Sequence, residues 1–347
     1  MRWRYALLLM LAAGCDDDDT YAPLNRDRGW STILTAPVSP TGQRHDDVFF
    51  TGTRGWIVNT RGEVHRSTDR GQSWKLVEQR SDVLFRAVGF IDENAGWAGN
   101  LNRFSDPVPG AALYETRDGG DTWNNITGRI QGPVPVGICG LWVLDKMHVY
   151  AVGRWHGPAV FVRTTDGGAT WTSRDMRPLA TGLVDVLFRD ARNGFAVGGN
   201  GVGNTQAEIA SSRTVVLRTR DGGDSWEQVY ASDANGTWGW KIQFVTANVG
   251  YVAIDGRADG YILKTVDGGN TWTPIRIHAN NRGGFQGLGF ISPDSGWAAS
   301  PGDLLYETGD GGNSWRVVYW GARVNRIRID RDGNGYSVGA GLYRFTR

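Results

Sequence analysis

The chain has 347 residues, with 37 lysines and arginines against 36 aspartates and glutamates and a formal net charge of +1. This balance, with no long basic run, gives no electrostatic footprint for nucleic acid, and two cysteines, Cys15 and Cys139, give no disulfide framework. The length is enough to bury a large core, so the remaining question is how many units share it.

The chain begins MRWRYALLLMLAAGC: two arginines, an apolar run from Tyr5 to Ala13, and small residues before Cys15. This is the layout of a bacterial secretory signal. The run is too short to cross a bilayer, which takes about 20 apolar residues. LAAGC resembles the lipobox of bacterial lipoproteins. That resemblance implies that residues 1–14 are a removed signal peptide and that Cys15 is lipidated and becomes the first mature residue. Several acyl chains there would hold the protein at a membrane, since one chain binds only marginally. The expected location is the bacterial cell envelope, at the inner membrane, the outer membrane or the cell surface. Residues 15–28 continue with DDDDTYAPLNRDR, acidic and then polar without apolar periodicity, and are expected to form a solvated tether. Cys139 is then the lone thiol, and its setting, VGICGLWV, reads as a small core residue.

From residue 29 onward the sequence repeats. STDRGQSW ends at Trp74, TRDGGDTW at Trp123, TTDGGATW at Trp171, TRDGGDSW at Trp226, TVDGGNTW at Trp272 and TGDGGNSW at Trp315, at spacings of 49, 48, 55, 46 and 43 residues. These spacings match propeller blades of four strands each. A second signal runs in phase, a glycine followed by an aromatic: Gly55-Trp56, Gly96-Trp97, Gly194-Phe195, Gly250-Tyr251, Gly296-Trp297 and Gly335-Tyr336, with Val149-Tyr150 in the equivalent place. Between these markers lie short alternating apolar runs and turn residues. The expected fold is all-β, a seven-bladed β-propeller of four-stranded antiparallel blades over residues 29–347, monomeric as a ring.

Seven second strands against six boxes leave one blade short, because the chain ends at GYSVGAGLYRFTR with no fourth strand. GWSTILTAP, from Gly29, resembles the strands that follow the boxes, with Trp30 in the tryptophan place. The N-terminal strand is therefore expected to complete the last blade and close the ring, which removes exposed sheet edges.

The order S/T-x-D-x-G-x-S/T-W resembles the Asp-box, or BNR, repeat of sialidases and other propellers. An aspartate can accept bonds from nearby backbone amides, glycines supply positive φ, and hydroxyls bond locally. Asp69, Asp118, Asp166, Asp221, Asp267 and Asp310 therefore read as pins of turns between the third and fourth strands, with the tryptophan buried between blades. A calcium site needs six to eight oxygens, more than a box supplies, and no metal or cofactor is expected. HDD at His45 to Asp47 is weak metal evidence, and His65, His148, His156 and His278 show no ligand spacing.

In an up-and-down blade the boxes share one face with the turns between first and second strands. Insertions fall on the other face: 101–112, 154–159, 200–214 and 255–260, with long links between blades such as NNITGRIQGPVPVG and YASDANGTWGW. Variable loops on a rigid scaffold are where binding resides. Trp155, Trp238, Trp240 and Trp320 lie outside the repeat positions, in these loops or at adjoining strand starts. Trp142, inside a first strand, reads as core. Arg86, Lys241 and Arg326 occur near the starts of first strands, beside the central channel. Tryptophan and arginine are enriched at interface hot spots, so these seven residues are the candidate partner-binding set. The competing reading is structural: the tryptophans shield blade tops and the cations pair with acids such as Asp185.

The dense pattern of GWAxG, strand and TxDGGxTW resembles the photosystem II assembly and stability factor family of seven-bladed propellers, over about residues 29–347. That resemblance implies a non-catalytic scaffold that binds a protein, and an arginine-rich patch on one face, for which Arg86 and Arg326 are the candidates. The alternative is a glycoside hydrolase of sialidase or glucanase type, which takes a pair of carboxylates. Asp47, Asp185, Asp233, Asp255 and Asp259 could lie near the loop face, and no Arg-Ile-Pro tripeptide of the sialidase kind occurs. A lectin that stacks sugars on tryptophan is a third reading.

Overall fold

The computed structural model describes residues 29–40, 43–103, 105–201, 210–256, 259–278, 283–329 and 333–346. The signal, Cys15 and the tether lie outside the described residues, as does most of the 200–214 loop. Seven sheets form the blades of a propeller. Blade one comprises Asp47–Thr51, Arg54–Val58, Glu63–Ser67 and Lys75–Gln79; blade two, Phe85–Phe90, Gly96–Asn100, Leu113–Thr116 and Asn124–Asn125. Blade three comprises Gly140–Val143, Val149–Gly153, Val160–Thr164 and Trp171–Asp175; blade four, Gly182–Phe188, Gly194–Asn200, Arg213–Thr219 and Glu227–Ala231. Blade five comprises Thr237–Phe244, Gly250–Gly256, Gly260–Thr265 and Thr273–His278; blade six, Gly287–Phe290, Gly296–Ala299, Leu305–Thr308 and Arg316–Val318. Blade seven comprises Arg326–Ile329, Gly335–Val338 and Leu342–Thr346, and Gly29–Thr32 supplies its fourth strand.

The closure is antiparallel, with Trp30 opposite Phe345. The Trp30 ring stacks on Trp320 at 4.4 Å and meets Trp297 of blade six edge-on at 5.4 Å. The first and last strands of the chain are thereby joined in one sheet.

The glycine-aromatic signal has a clear physical basis. The aromatic of a second strand stacks on the phenylalanine ending the first strand of the next blade: Trp56 on Phe90 at 3.5 Å, Tyr150 on Phe188 at 3.5 Å, Tyr251 on Phe290 at 3.7 Å. Tyr336 on Phe50, at 3.9 Å, carries the same contact across the ring closure. Each phenylalanine lies flat over the glycine opposite it in its own blade, as Phe90 does over Gly96. A Cβ at Gly96, Gly194 or Gly296 would collide with that ring. Glycine therefore makes room for the aromatic that joins neighbouring blades.

The box turns share one hydrogen-bond pattern. In TRDGGDTW, Asp118 accepts from the Thr122 amide at 2.9 Å and from its hydroxyl at 2.7 Å, while the Thr116 hydroxyl donates to Asp118 at 2.8 Å and accepts from the Gly120 amide at 2.8 Å. Gly119 and Gly120 both have positive φ. The same bonds recur at Asp69, Asp166, Asp221, Asp267 and Asp310. Turns of this kind also grip the preceding blade: the Gly119 carbonyl accepts from the Trp56 indole at 2.9 Å.

One insertion differs from a plain link. NNITGRIQ, between blades two and three, forms a 3-10 turn at Thr127–Arg129 and a short strand, Ile130–Gln131, that pairs in parallel with the outer strand of blade three. It covers an edge that would otherwise face solvent.

Candidate functional site

The first strands surround a central channel, and three of them carry a β-bulge. The register slips at Arg86 in blade two, at Val184 in blade four and at Trp240 in blade five. A bulge places two consecutive residues against one partner and re-aims a side chain. In blade five both Trp240 and Lys241 therefore face the channel. Trp238 and Trp240 lie within the strand Thr237–Phe244 rather than in a loop, and both are buried.

Charged side chains fill the middle of the channel in two layers. Nearer the loop face, Arg86 pairs with Asp46, and Arg44 approaches the same carboxylate at 3.4 Å. Asn325 accepts from Arg86 at 3.3 Å and from the Trp240 indole at 3.1 Å, and donates to the Asp46 carbonyl at 2.7 Å. The Arg86 guanidinium lies 5.3 Å from the Trp240 ring centroid, and Trp155 meets Trp240 edge-on at 5.4 Å. In the deeper layer, Arg326 donates to both oxygens of Asp185 at 3.0 Å and to Asp47 at 3.2 Å. Asp47 also accepts from Arg328 at 2.7 Å and from the Val88 amide at 3.0 Å. Burial opposes the Asp47 charge, but Arg328 and Arg326 hold its carboxyl below the usual range.

These layers divide the channel into two cavities. A funnel of about 300 Å³ opens at the loop face, lined by Arg44, Arg86, Trp155, Trp240, Gln286 and Arg323. A larger cavity of about 930 Å³ opens at the box face, and its lining includes Lys241 and Arg326. Six of the seven candidate binding residues are thus distributed as follows. Arg86, Trp155 and Trp240 meet at the funnel; Lys241 and Arg326 face the opposite cavity; Trp238 packs beside His156, 5.8 Å between rings. The seventh, Trp320, is committed to the Trp30 stack at the closure. Trp142, read as core from sequence, is half-buried and lines the box-face cavity. Sequence reasoning missed Arg44 and Arg323, whose residue type was a signal but whose loops carried no repeat register.

The carboxylates named for a hydrolase are also placed. Asp47 and Asp185 are fully engaged by arginines. Asp255 accepts from Gln286 at 2.8 Å, and burial raises its pKa. Asp259 pairs with Arg276, and Asp233 is exposed. HDD serves separate tasks: His45 bonds the Pro37 carbonyl at 2.8 Å, Asp46 faces Arg86, and Asp47 faces Arg326. Among the described residues no group of three or more His, Cys, Asp or Glu is placed to hold a metal ion. Cys139 is buried, which raises its thiol pKa, and its sulfur accepts from the Trp155 amide at 3.1 Å.

No family model matches the chain. It is 22% identical over 290 residues to the photosystem II assembly lipoprotein Ycf48 of Synechococcus sp. (strain CC9902), covering 72% of this chain and 80% of that protein. It is 26% identical over 318 residues to a xyloglucanase of Paenibacillus sp, covering 74% of this chain but 28% of that enzyme. Among solved structures, YCF48 bound to D1 peptide superposes with a TM-score of 0.64 at 19% identity, covering 92% of this chain and 97% of that one, a likeness in fold.

Proposed function

We propose that the protein is a non-catalytic propeller that holds a segment of another protein at its loop face, as an assembly or stability factor tethered to the bacterial envelope through a lipid on Cys15. The observation that carries this reading is the loop-face funnel, where three arginines, Arg44, Arg86 and Arg323, and two tryptophans, Trp155 and Trp240, converge on one opening. Arginine and tryptophan at the centre of a concave surface suit an extended segment with acidic and apolar side chains. Similarity to a photosystem II assembly lipoprotein, and a fold shared with a propeller solved with a peptide, support the same reading. Engagement of Asp47 and Asp185 by arginines supports a non-catalytic channel, because a glycosidase acid and base must reach the substrate.

The test is capture from detergent-solubilised membranes of the source organism, comparing the native chain with an Arg323→Glu, Trp155→Ala variant of unchanged thermal stability. One partner retained by the native chain and lost by the variant is the expected result. Equal recovery by both would move the site off the funnel. Hydrolysis of xyloglucan by the native chain would overturn the non-catalytic reading in favour of the glucanase alternative.

A further inference from the structure

The box-face cavity has a feature that the partner-binding reading does not use. Lys241 is 3% exposed, yet among the described residues its ammonium has no hydrogen-bond or ion-pair partner, and its Nζ lies 6.0 Å from the Trp240 ring centroid. Around it the deeper layer holds three cations, Lys241, Arg326 and Arg328, against two carboxylates, Asp47 and Asp185. Both carboxylates are taken by the two arginines, which leaves Lys241 without a counter-charge whenever it is protonated. A buried charge without a partner is costly. An anion entering the cavity would balance it.

The cavity itself narrows the choice of anion. At about 930 Å³ it is of the size that takes a small organic molecule. Apart from its charged groups, Arg189 and Asp190 included, and the polar Gln243 and Thr246, its walls are mostly apolar, with Phe49, Trp142, Leu187, Phe244, Leu288 and Ile327 among them. A halide would satisfy the charge but leave those walls in water. We propose that the box-face cavity binds an amphipathic organic monoanion, an apolar body ending in a single carboxylate, with the carboxylate paired to Lys241 and the body against the aromatic and aliphatic walls.

The electrostatic surroundings agree. Desolvation holds the Lys241 pKa well below its ordinary value, and Arg326 from blade seven and Arg86 from blade two push the same way. Asp185 of blade four and Asp47 of blade one oppose them, while Arg328 of blade seven adds a further cation to the Asp47 side. A carboxylate bound beside the amine stabilises its protonated form, so binding raises the amine's pKa and is accompanied by proton uptake at any pH between the free and bound values. This site lies on the face opposite the funnel, so either reading can fail without the other.

The experiment is calorimetric titration of the full chain with sodium decanoate, decanol and sodium chloride, using the native protein, Lys241→Met and Lys241→Arg. Decanoate is expected to bind the native chain and Lys241→Arg, and to bind Lys241→Met at least tenfold more weakly. Decanol is expected to show no difference between native and Lys241→Met. The decanoate heat should vary with the ionisation enthalpy of the buffer, the mark of proton uptake. That comparison needs the native chain alone, so the test stands even where a variant fails to fold. Equal decanoate affinity in native and Lys241→Met, no decanoate binding by the native chain at millimolar concentration, or decanoate heat independent of the buffer at every pH from neutrality up to the ordinary lysine pKa would each overturn the proposal. Protection against thermal unfolding by chloride alone, with no further effect of decanoate, would also overturn it, in favour of an inorganic-anion site.

Discussion

Arg326 grips Asp185 through two guanidinium nitrogens, each 3.0 Å from a carboxylate oxygen, and so ties blade seven to blade four across the channel. The same guanidinium reaches Asp47 of blade one at 3.2 Å. Three blades thus share one buried group. Removing it strands Asp185 away from water while Asp47 keeps Arg328, and breaking a buried pair from one side costs about 3–5 kcal/mol. Arg326→Leu is expected to lose that much in denaturant unfolding. Arg326→Leu with Asp185→Leu should recover part of the loss, since the stranded Asp185 charge is gone; a double variant no better than the single would refute the pairing as the source.

Gly96→Ala tests the stack between blades. The added methyl would collide with the Phe90 ring, which lies 3.5 Å from Trp56 of the preceding blade. Forcing a side chain off its packed position costs about 1–3 kcal/mol. Gly128→Ala serves as the control, because a Cβ there meets nothing. Thermal unfolding of the two variants should separate them, and equal melting temperatures would show that the ring relaxes freely.

Trp123 is buried against Phe85 and Phe90, with ring centroids 6.2 and 5.9 Å away. Its replacement by alanine is expected to lose about 3–5 kcal/mol, as for other large aromatics in cores. It lies on the box side of the blade, away from the funnel, so partner capture at a temperature where the variant is folded should be unchanged. A binding defect at native stability would assign the box turn a recognition role.

The box aspartates set an acid limit. Burial works against the Asp118 charge, but bonds from Thr122 and Thr116 win and hold its pKa at about 2, below the ordinary 3.8. Side-chain bonds from Ser73, Thr170 and Ser314 do the same for Asp69, Asp166 and Asp310, each at about 2. A depressed folded-state pKa contributes stability that is present above the unfolded value and lost as pH falls through the folded one. Stability should therefore drop between about pH 4 and about pH 2. Asp118→Asn should make that fall shallower by removing one linked proton. The check is melting temperature against pH for both proteins, and parallel curves would mean the turn bonds do not set the pKa.

Much of this architecture is legible in the chain itself, because each blade writes its own strand boundaries. The tryptophan spacing and the glycine-aromatic pairs give the number of sheets, and a missing fourth strand at the C-terminus points to Gly29–Thr32. The channel was harder to read. Asp47 and Arg326 are 279 residues apart and meet only because the ring closes. WGWKIQF reads as a link running into a strand, but the bulge at Trp240 keeps the whole stretch in the sheet and turns Lys241 inward. A bulge leaves no composition signal, so the division of Arg86 from Lys241 and Arg326 between two cavities was not accessible from the sequence.

The closure makes a further prediction about cooperativity. Gly29–Thr32 pairs with Leu342–Thr346, and Trp30 fills the space between Trp297, Trp320 and Phe345. Without this strand, blade seven would keep three strands and expose an unpaired edge, a template for pairing with another chain. Deleting residues 29–36 is therefore expected to lower the melting temperature and to produce oligomers at micromolar concentration. Trp30→Ala keeps the backbone ladder and removes only the ring, so it should lower stability while the protein stays monomeric. Size-exclusion chromatography with light scattering distinguishes the two. A monomeric deletion variant would mean the edge is protected by other means, and an oligomeric Trp30→Ala would mean that the indole, rather than the strand, holds the ring shut.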